Sequence, residues 1–385
     1  MQLPSILRRT IPAATVMVLL CAAALHAADH HHRHHYLITN NDNSQGNTAT
    51  VYRIFHDGSL RQVQVVNTGG TGVDGIGSVA TKRVSALDTS QRCVYLADAG
   101  SADVAGISID TLAATGTFKA AATDTAPDGM AVVNNGTYLY ASFTGSNTIA
   151  TYRIQPGCQL LFLQDVPAAG VNGSAVLDMA VHGNILVASF SDGSIESFNV
   201  ASGLPVSNGD LQLSTGNTQD GSFVSGVDIT ADGHFAIFGG TNVPPLVEVS
   251  NISSGKLTPT TVYSGIGAGG GSEAIWLSPD ETLLYLSDFS SNQVTAAFFD
   301  KATGSVSFGC TGTLRGIGFE AGLATASPTG TGSTLYVAEP DSNIGFVTIT
   351  ENSGTCSLVE DPTSPVNDAN TITVDSIVAF PPRPF

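Results

Sequence analysis

The chain has 385 residues, 14 basic and 32 acidic, for a formal net charge of −18, yet only 12% of its residues are charged. That balance excludes non-specific binding to nucleic acid or anionic lipid, which needs clustered Lys and Arg to displace counter-ions. A length of 385 residues also exceeds what one ordinary hydrophobic core fills, so the chain must divide into domains or repeat a small core.

The N-terminus reads as an export signal. Arg8 and Arg9 form a basic start, and Ile11 to Leu25 is apolar apart from Pro12 and Thr15. Small residues follow, so cleavage is expected between Ala24 and Ala28. The apolar run is shorter than a membrane span, and the bulky Leu20 before Cys21 argues against lipidation. Residues 1–28 are therefore assigned to the signal, and a secreted or periplasmic protein is expected. Residues 29–35 carry Asp29, Arg33 and five histidines. Their imidazoles could ligate a transition metal, but no cysteine or carboxylate cage defines a geometry, so a solvated arm is expected.

From Tyr36 onward short apolar runs alternate with turn residues. CVYLADAG at Cys93 is followed by YLYASFTG at Tyr138, ILVASFSDG at Ile185, HFAIFGGTN at His234, LLYLSDFS at Leu283 and TLYVAEPDS at Thr334. Tyr95, Tyr140, Val187, Ile237, Tyr285 and Tyr336 succeed one another at steps of 45, 47, 50, 48 and 51 residues. A period in the forties with four strands per unit is the mark of a β-propeller. The best-defined unit is Ser272 to Gly309, where Ser278-Pro279-Asp280-Glu281 supplies the turn between its first two strands.

YLITNND at Tyr36 adds a seventh unit that lacks its first strand, and Thr371 to Phe380 is a spare strand at the other end. The predicted fold is therefore an all-β, seven-bladed propeller over 36–385. Its C-terminal strand pairs with the N-terminal blade and buries Ile377 and Val378, which removes the open sheet edges. The connection Asn67 to Thr81 is Gly-rich and long for a link between blades.

Four cysteines remain beyond the signal: Cys93, Cys158, Cys310 and Cys356. An even count in an exported chain favours two disulfides over buried thiols, with three possible pairings. Cys310 and Cys356 fall in outer strands of adjacent blades and are the expected pair, leaving Cys93 with Cys158. A monomer is expected.

Propeller ligands usually bind where the inner strands open onto the central channel. The residues that open those strands are aligned as Arg83, Asp128, Val176, Ser225, Glu273, Glu320 and Asp375. Four of seven are acidic, where the chain's acidic frequency would give fewer than one. Asp128, Glu273, Glu320 and Asp375 are thus candidates to hold Ca²⁺ or Mg²⁺, or to raise one another's pKa so that one acts as an acid. Arg83 could clamp a ligand carboxylate. The competing reading is a hydrated acidic rim. Asp98, Asp192, Asp288 and Glu339 end second strands on the same face and enlarge it. His56, His182 and His234 map to the opposite face, and no G-x-S-x-G elbow occurs, so a His-based triad at the mouth is not expected.

SPDETLLYLSD followed by NQVTAAFFDKATGSVSF resembles the seven-bladed lactonase-like propellers, a family that includes bacterial 6-phosphogluconolactonase, and the related YVTN repeats. The resemblance covers nearly all of the chain beyond the signal. It implies hydrolysis of a sugar lactone, or binding of a sugar acid. In the family an Arg-His pair typically opens an inner strand. The matching places here hold Ser272-Glu273 and Phe319-Glu320, so no catalytic residue carries over. The other function class is a non-catalytic periplasmic or extracellular binding or interaction propeller, whose partner is a small molecule or a protein.

Overall fold

The computed structural model describes residues 35–74, 84–133, 135–216, 224–240, 246–267, 272–288, 291–316, 322–326, 333–339, 342–352, 354–371 and 373–380. The signal and the histidine arm up to His34 fall outside them. The side chains of 272, 273, 288, 322–326 and 333 are also outside the description.

The described strands form seven sheets of four or five strands, each an antiparallel meander, and no helix occurs among the described residues. Blades 2 to 7 begin with the inner strands Ser85–Asp88, Pro127–Val132, Val176–His182, Val224–Ile229, Ser272–Leu277 and Gly322–Ala326. Blade 1 takes His35–Asn40, Thr48–Ile54 and Leu60–Asn67 from the N-terminal side and its inner strand, Ser376–Phe380, from the other end. Each inner strand abuts the inner strands of both neighbouring blades, so the ring is closed.

Closure uses the predicted segment, with pairing confined to its second half: Tyr36 lies opposite Phe380, and Asn40 opposite Ser376. Side chains alternate along a strand. Ile377 and Ala379 therefore enter the core between blades 7 and 1, and Val378 and Phe380 the core between blades 1 and 2.

Seven apolar clusters fill the seven seams between neighbouring blades. The periodic tyrosines are their anchors. Tyr95, Tyr140, Tyr285 and Tyr336 are all buried. Tyr140 donates to the Gly203 carbonyl of blade 4 at 3.1 Å, and Tyr336 to the Gly58 carbonyl of blade 1 at 2.7 Å. A buried phenol usually finds such a partner; the Tyr95 hydroxyl is buried without one among the described residues. Burial pushes the pKa of the Tyr140 and Tyr336 hydroxyls far up, so they remain neutral donors.

Turn chemistry follows the sequence closely. Ser278 Oγ donates to Asp280 Oδ1 at 2.7 Å, and the Glu281 N–H returns to the Ser278 carbonyl at 2.8 Å. Glu281 stands at φ +58°, where the matching turn of blade 5 has Gly233 at φ +70°. A non-glycine residue there is strained. The compensation is visible, because Glu281 Oε1 accepts the Ala231 N–H of that neighbouring turn.

Both expected disulfides are present. Cys93–Cys158 joins blades 2 and 3 with a Cα separation of 5.5 Å, and Cys310–Cys356 joins the outer strands of blades 6 and 7 at 5.7 Å.

Candidate functional site

The inner strands do not enter the channel as plain ladders. Register breaks fall between Pro127 and Met130, Val176 and Asp178, Val224 and Val227, and Ser272 and Ile275. Such bulges re-aim side chains beside binding sites. They put Asp128, Leu177, Ser225 and Glu273 at equivalent places. Leu177, rather than Val176, is therefore the blade 4 member, because His182 pairs with Ile185 across a two-residue turn where Val133 closes on Tyr138 in blade 3, so the first hairpin of blade 4 is shorter.

Of the predicted mouth residues, Asp128 lies in the blade 3 bulge and is half-buried. Asp375 directly precedes the closing strand, is 7% exposed, and donates its N–H to the Asn40 carbonyl at 2.9 Å. Glu273 is placed by its backbone in Ser272–Leu277, with its side chain outside the description. Arg83 and Glu320 lie outside the described residues. Among the described residues, no three His, Cys, Asp or Glu side chains converge on a metal-sized space.

The inner strands of blades 4 and 5 carry two carboxylates that the sequence did not single out, Asp178 and Asp228. Gly129 shows how closely adjacent inner strands approach, since a Cβ there would lie 2.7 Å from the Leu177 carbonyl and 2.9 Å from Asp178 Cα. Asp178 Oδ2 accepts the Val227 N–H of blade 5 at 3.0 Å, and its Oδ1 the Met179 N–H at 2.8 Å. One blade on, Asp228 Oδ2 accepts the Leu277 N–H of blade 6 at 3.0 Å, and its Oδ1 the Ile229 N–H at 2.9 Å. Each carboxylate thus satisfies an amide of the next blade's inner strand that would otherwise stay open. Replacing Asp178 by Ala leaves buried donors unpaired and is expected to cost about 3 kcal/mol. Asp178→Asn, which keeps one acceptor, should lose less. Urea midpoints at unchanged slope check both.

On the rim between blades 1 and 2, Asn40 Nδ2 donates to the Ala97 carbonyl at 2.9 Å, and Ser85 and Ser376 share a hydroxyl hydrogen bond. Asp98 ends the second strand of blade 2 as expected but is fully buried rather than part of a hydrated surface. Burial pushes its pKa up to about 7. The neighbouring Asp103 carboxylate adds to that rise, and hydrogen bonds from Asn47 and Thr68 oppose it. Asp103, which the sequence did not single out, completes a carboxyl pair.

Comparison with known proteins agrees with this architecture. Residues 119–367 match the family described as "Lactonase, 7-bladed beta-propeller". No curated protein matches the chain. A solved structure of a Lactobacillus plantarum protein is 16% identical, with a TM-score of 0.71, and covers 90% of this chain and 99% of its own. A putative 6-phosphogluconolactonase from Bacteroides fragilis is 16% identical, with a TM-score of 0.68, over 90% of this chain and 98% of its own. The periplasmic gluconolactonase of Pseudomonas aeruginosa is also 16% identical with a TM-score of 0.68, over 89% of this chain and 98% of its own. At that identity the structures show the fold. The family match spans well over half of the chain, and the chain belongs to the lactonase seven-bladed β-propeller family.

Proposed function

We propose that this member of the lactonase propeller family is an exported, monomeric protein that binds a neutral sugar lactone at the acidic channel mouth and hydrolyses it. The observation that carries the reading is the family match over residues 119–367. The gluconolactonase of Pseudomonas aeruginosa, described as periplasmic, supports both the substrate class and the location. Two disulfides support an oxidising compartment. Neither nucleic acid nor membrane is a partner of the processed chain in this reading.

The chemistry suits carboxylates. A water attacks the lactone carbonyl while a mouth carboxylate accepts its proton. The acyl C–O bond then breaks and the ring oxygen takes up a proton. The product is a hydroxy acid that ionises to an anion. Asp128, Glu273, Glu320 and Asp375 line the mouth in this reading, and like charge drives the anion out. Arg83 opposes one of these charges and orients the substrate. A Ca²⁺ or Mg²⁺ ion held by the same four carboxylates would polarise the carbonyl. Such a site needs Glu273 and Glu320 as well as the described pair.

The second reading, a propeller that binds a sugar acid or a protein without catalysis, is favoured by one observation. Ser272-Glu273 and Phe319-Glu320 stand where the family's Arg-His pair is expected.

Proton release from a panel of aldonolactones tests the proposal. The expected result is turnover by the wild type, with kcat lowered by roughly 10²-fold or more in at least one of Asp128→Asn, Glu273→Gln, Glu320→Gln and Asp375→Asn. A thermal shift with lactones but no proton release would establish the binding propeller instead.

A further inference from the structure

The seam between blades 1 and 2 holds a carboxyl pair that the proposed chemistry does not use. Asp98 ends the second strand of blade 2, Asp103 opens the third, and the two lie directly opposite across the hairpin. Asp98 is 0% exposed and Asp103 4%. Asp98 Oδ1 accepts Asn47 Nδ2 at 2.7 Å and Thr68 Oγ1 at 3.0 Å. Oδ2 is buried with no other side-chain or backbone donor reaching it, and Asp103 Oδ1 accepts the Ser101 hydroxyl at 3.2 Å. Neither carboxylate forms an ion pair among the described residues.

The Gly-rich segment leaving blade 1 closes over this pair. The Asn47 N–H donates to the Gly70 carbonyl at 2.9 Å, and the Thr71 carbonyl accepts the N–H groups of Gly100 and Ser101 at 2.8 and 3.1 Å. The Thr71 N–H donates to Ser101 Oγ at 2.9 Å. A Cβ on Gly70 would stand 2.3 Å from Asp98 Oδ2, so the segment rests directly on the unpartnered oxygen.

Other charged groups among the described residues do not relieve the pair. From blade 3, Tyr152 faces Asp103 and Asp124, and burial keeps its hydroxyl neutral. Lys119 is opposite Asp103 in the ladder, with its side chain exposed. On the blade 1 side, Asp42 accepts the Val73 N–H, and Asp74 binds Ser44 at the surface.

We propose that Asp98 and Asp103 share one proton and form a pH-sensitive clasp, closed in acid, that fixes segment 67–74 over the seam between blades 1 and 2 at the channel mouth. Two buried carboxylates that meet no cation among the described residues cannot both ionise cheaply, so one proton bridges them. The folded state holds that proton more tightly than the unfolded chain does. The stabilisation is therefore complete below the ordinary carboxylate range and is lost as pH rises through about 7. Above that pH two like charges face each other under Gly70, and water gains access by lifting the segment.

Amide hydrogen exchange of the full chain beyond the signal, at about pH 5 and about pH 8.5 and corrected for intrinsic rates, tests the clasp. Protection of residues 68–74, 100 and 101 is expected to fall roughly tenfold or more at the higher pH, while Phe235–Gly240 of blade 5 is unchanged. Asp98→Asn, which carries no titrating charge, should stay protected at both. If that variant does not fold, Asp103→Asn removes the same repulsion and is read the same way. Equal wild-type protection at both pH values, or a pH-dependent loss that persists in the substituted protein, would overturn the clasp.

Discussion

Removal of residues 376–385 is expected to abolish cooperative folding of the propeller. The deleted strand forms a five-pair ladder with His35–Asn40 and contributes Ile377, Val378 and Phe380 to two different cores. Burial of three such side chains stabilises by roughly 5–9 kcal/mol, which is comparable with the whole stability of a typical domain, about 5–15 kcal/mol. The loss is compounded because His35–Asn40 becomes an exposed edge, free to pair with another chain. Expression yield, size-exclusion chromatography and thermal melts by circular dichroism report the outcome. The expected result is aggregated or non-cooperatively melting protein. A truncated chain that stays monomeric and melts within a few degrees of wild type would show that the ring holds without its closing strand. Val378→Asp should give an intermediate loss, since it buries one unpaired charge and keeps the ladder.

The second large effect is expected from the disulfides. Cys93 and Cys158 are 65 residues apart in sequence, and Cys310 and Cys356 are 46 apart. The bridges tie blade 2 to blade 3 and blade 7 to blade 6, so both neighbours of the closing blade are anchored on their far side. Loops of this size give about 2–4 kcal/mol per bridge. For a chain of this length that is a fall of roughly 3–5 °C in melting temperature on removing either one. Cys93→Ala with Cys158→Ala should cost the more, because Cys93 and Cys158 are buried, whereas Cys310 and Cys356 are only partly so. Alkylation of the unreduced protein should find no free thiol. Four free thiols, or a melt insensitive to reductant, would contradict the assignment.

The propeller was legible in the sequence because its signal is repeated. One buried tyrosine or aliphatic residue per second strand marks blade after blade, and the spare C-terminal strand followed from a missing first strand. Finer geometry was less visible. The shorter hairpin turn that puts Leu177 rather than Val176 in register with Asp128 has no marker in a two-residue alternation. Asp178 and Asp228 sit inside apolar runs, VLDMAV and VSGVDI. Their partners lie 49 residues downstream in the next blade, a distance at which local pattern carries no information. Asp98 could be placed at a strand end, but only hairpin register brings Asp103 against it. Burial then turned an expected hydrated rim carboxylate into half of a proton-sharing pair. Of the mouth carboxylates, Asp128 and Asp375 stand at the opening of inner strands, and Glu273 is placed there by its backbone.

The most direct test of the proposed site is a crystal structure of the protein soaked with a neutral aldonolactam, which keeps the hydroxyls of an aldonolactone and resists ring opening. The ring is expected at the channel mouth, with hydroxyls within about 3.2 Å of at least two of Asp128, Glu273, Glu320 and Asp375. An aldonolactam bound at another surface, touching none of these four carboxylates, would contradict the proposed site.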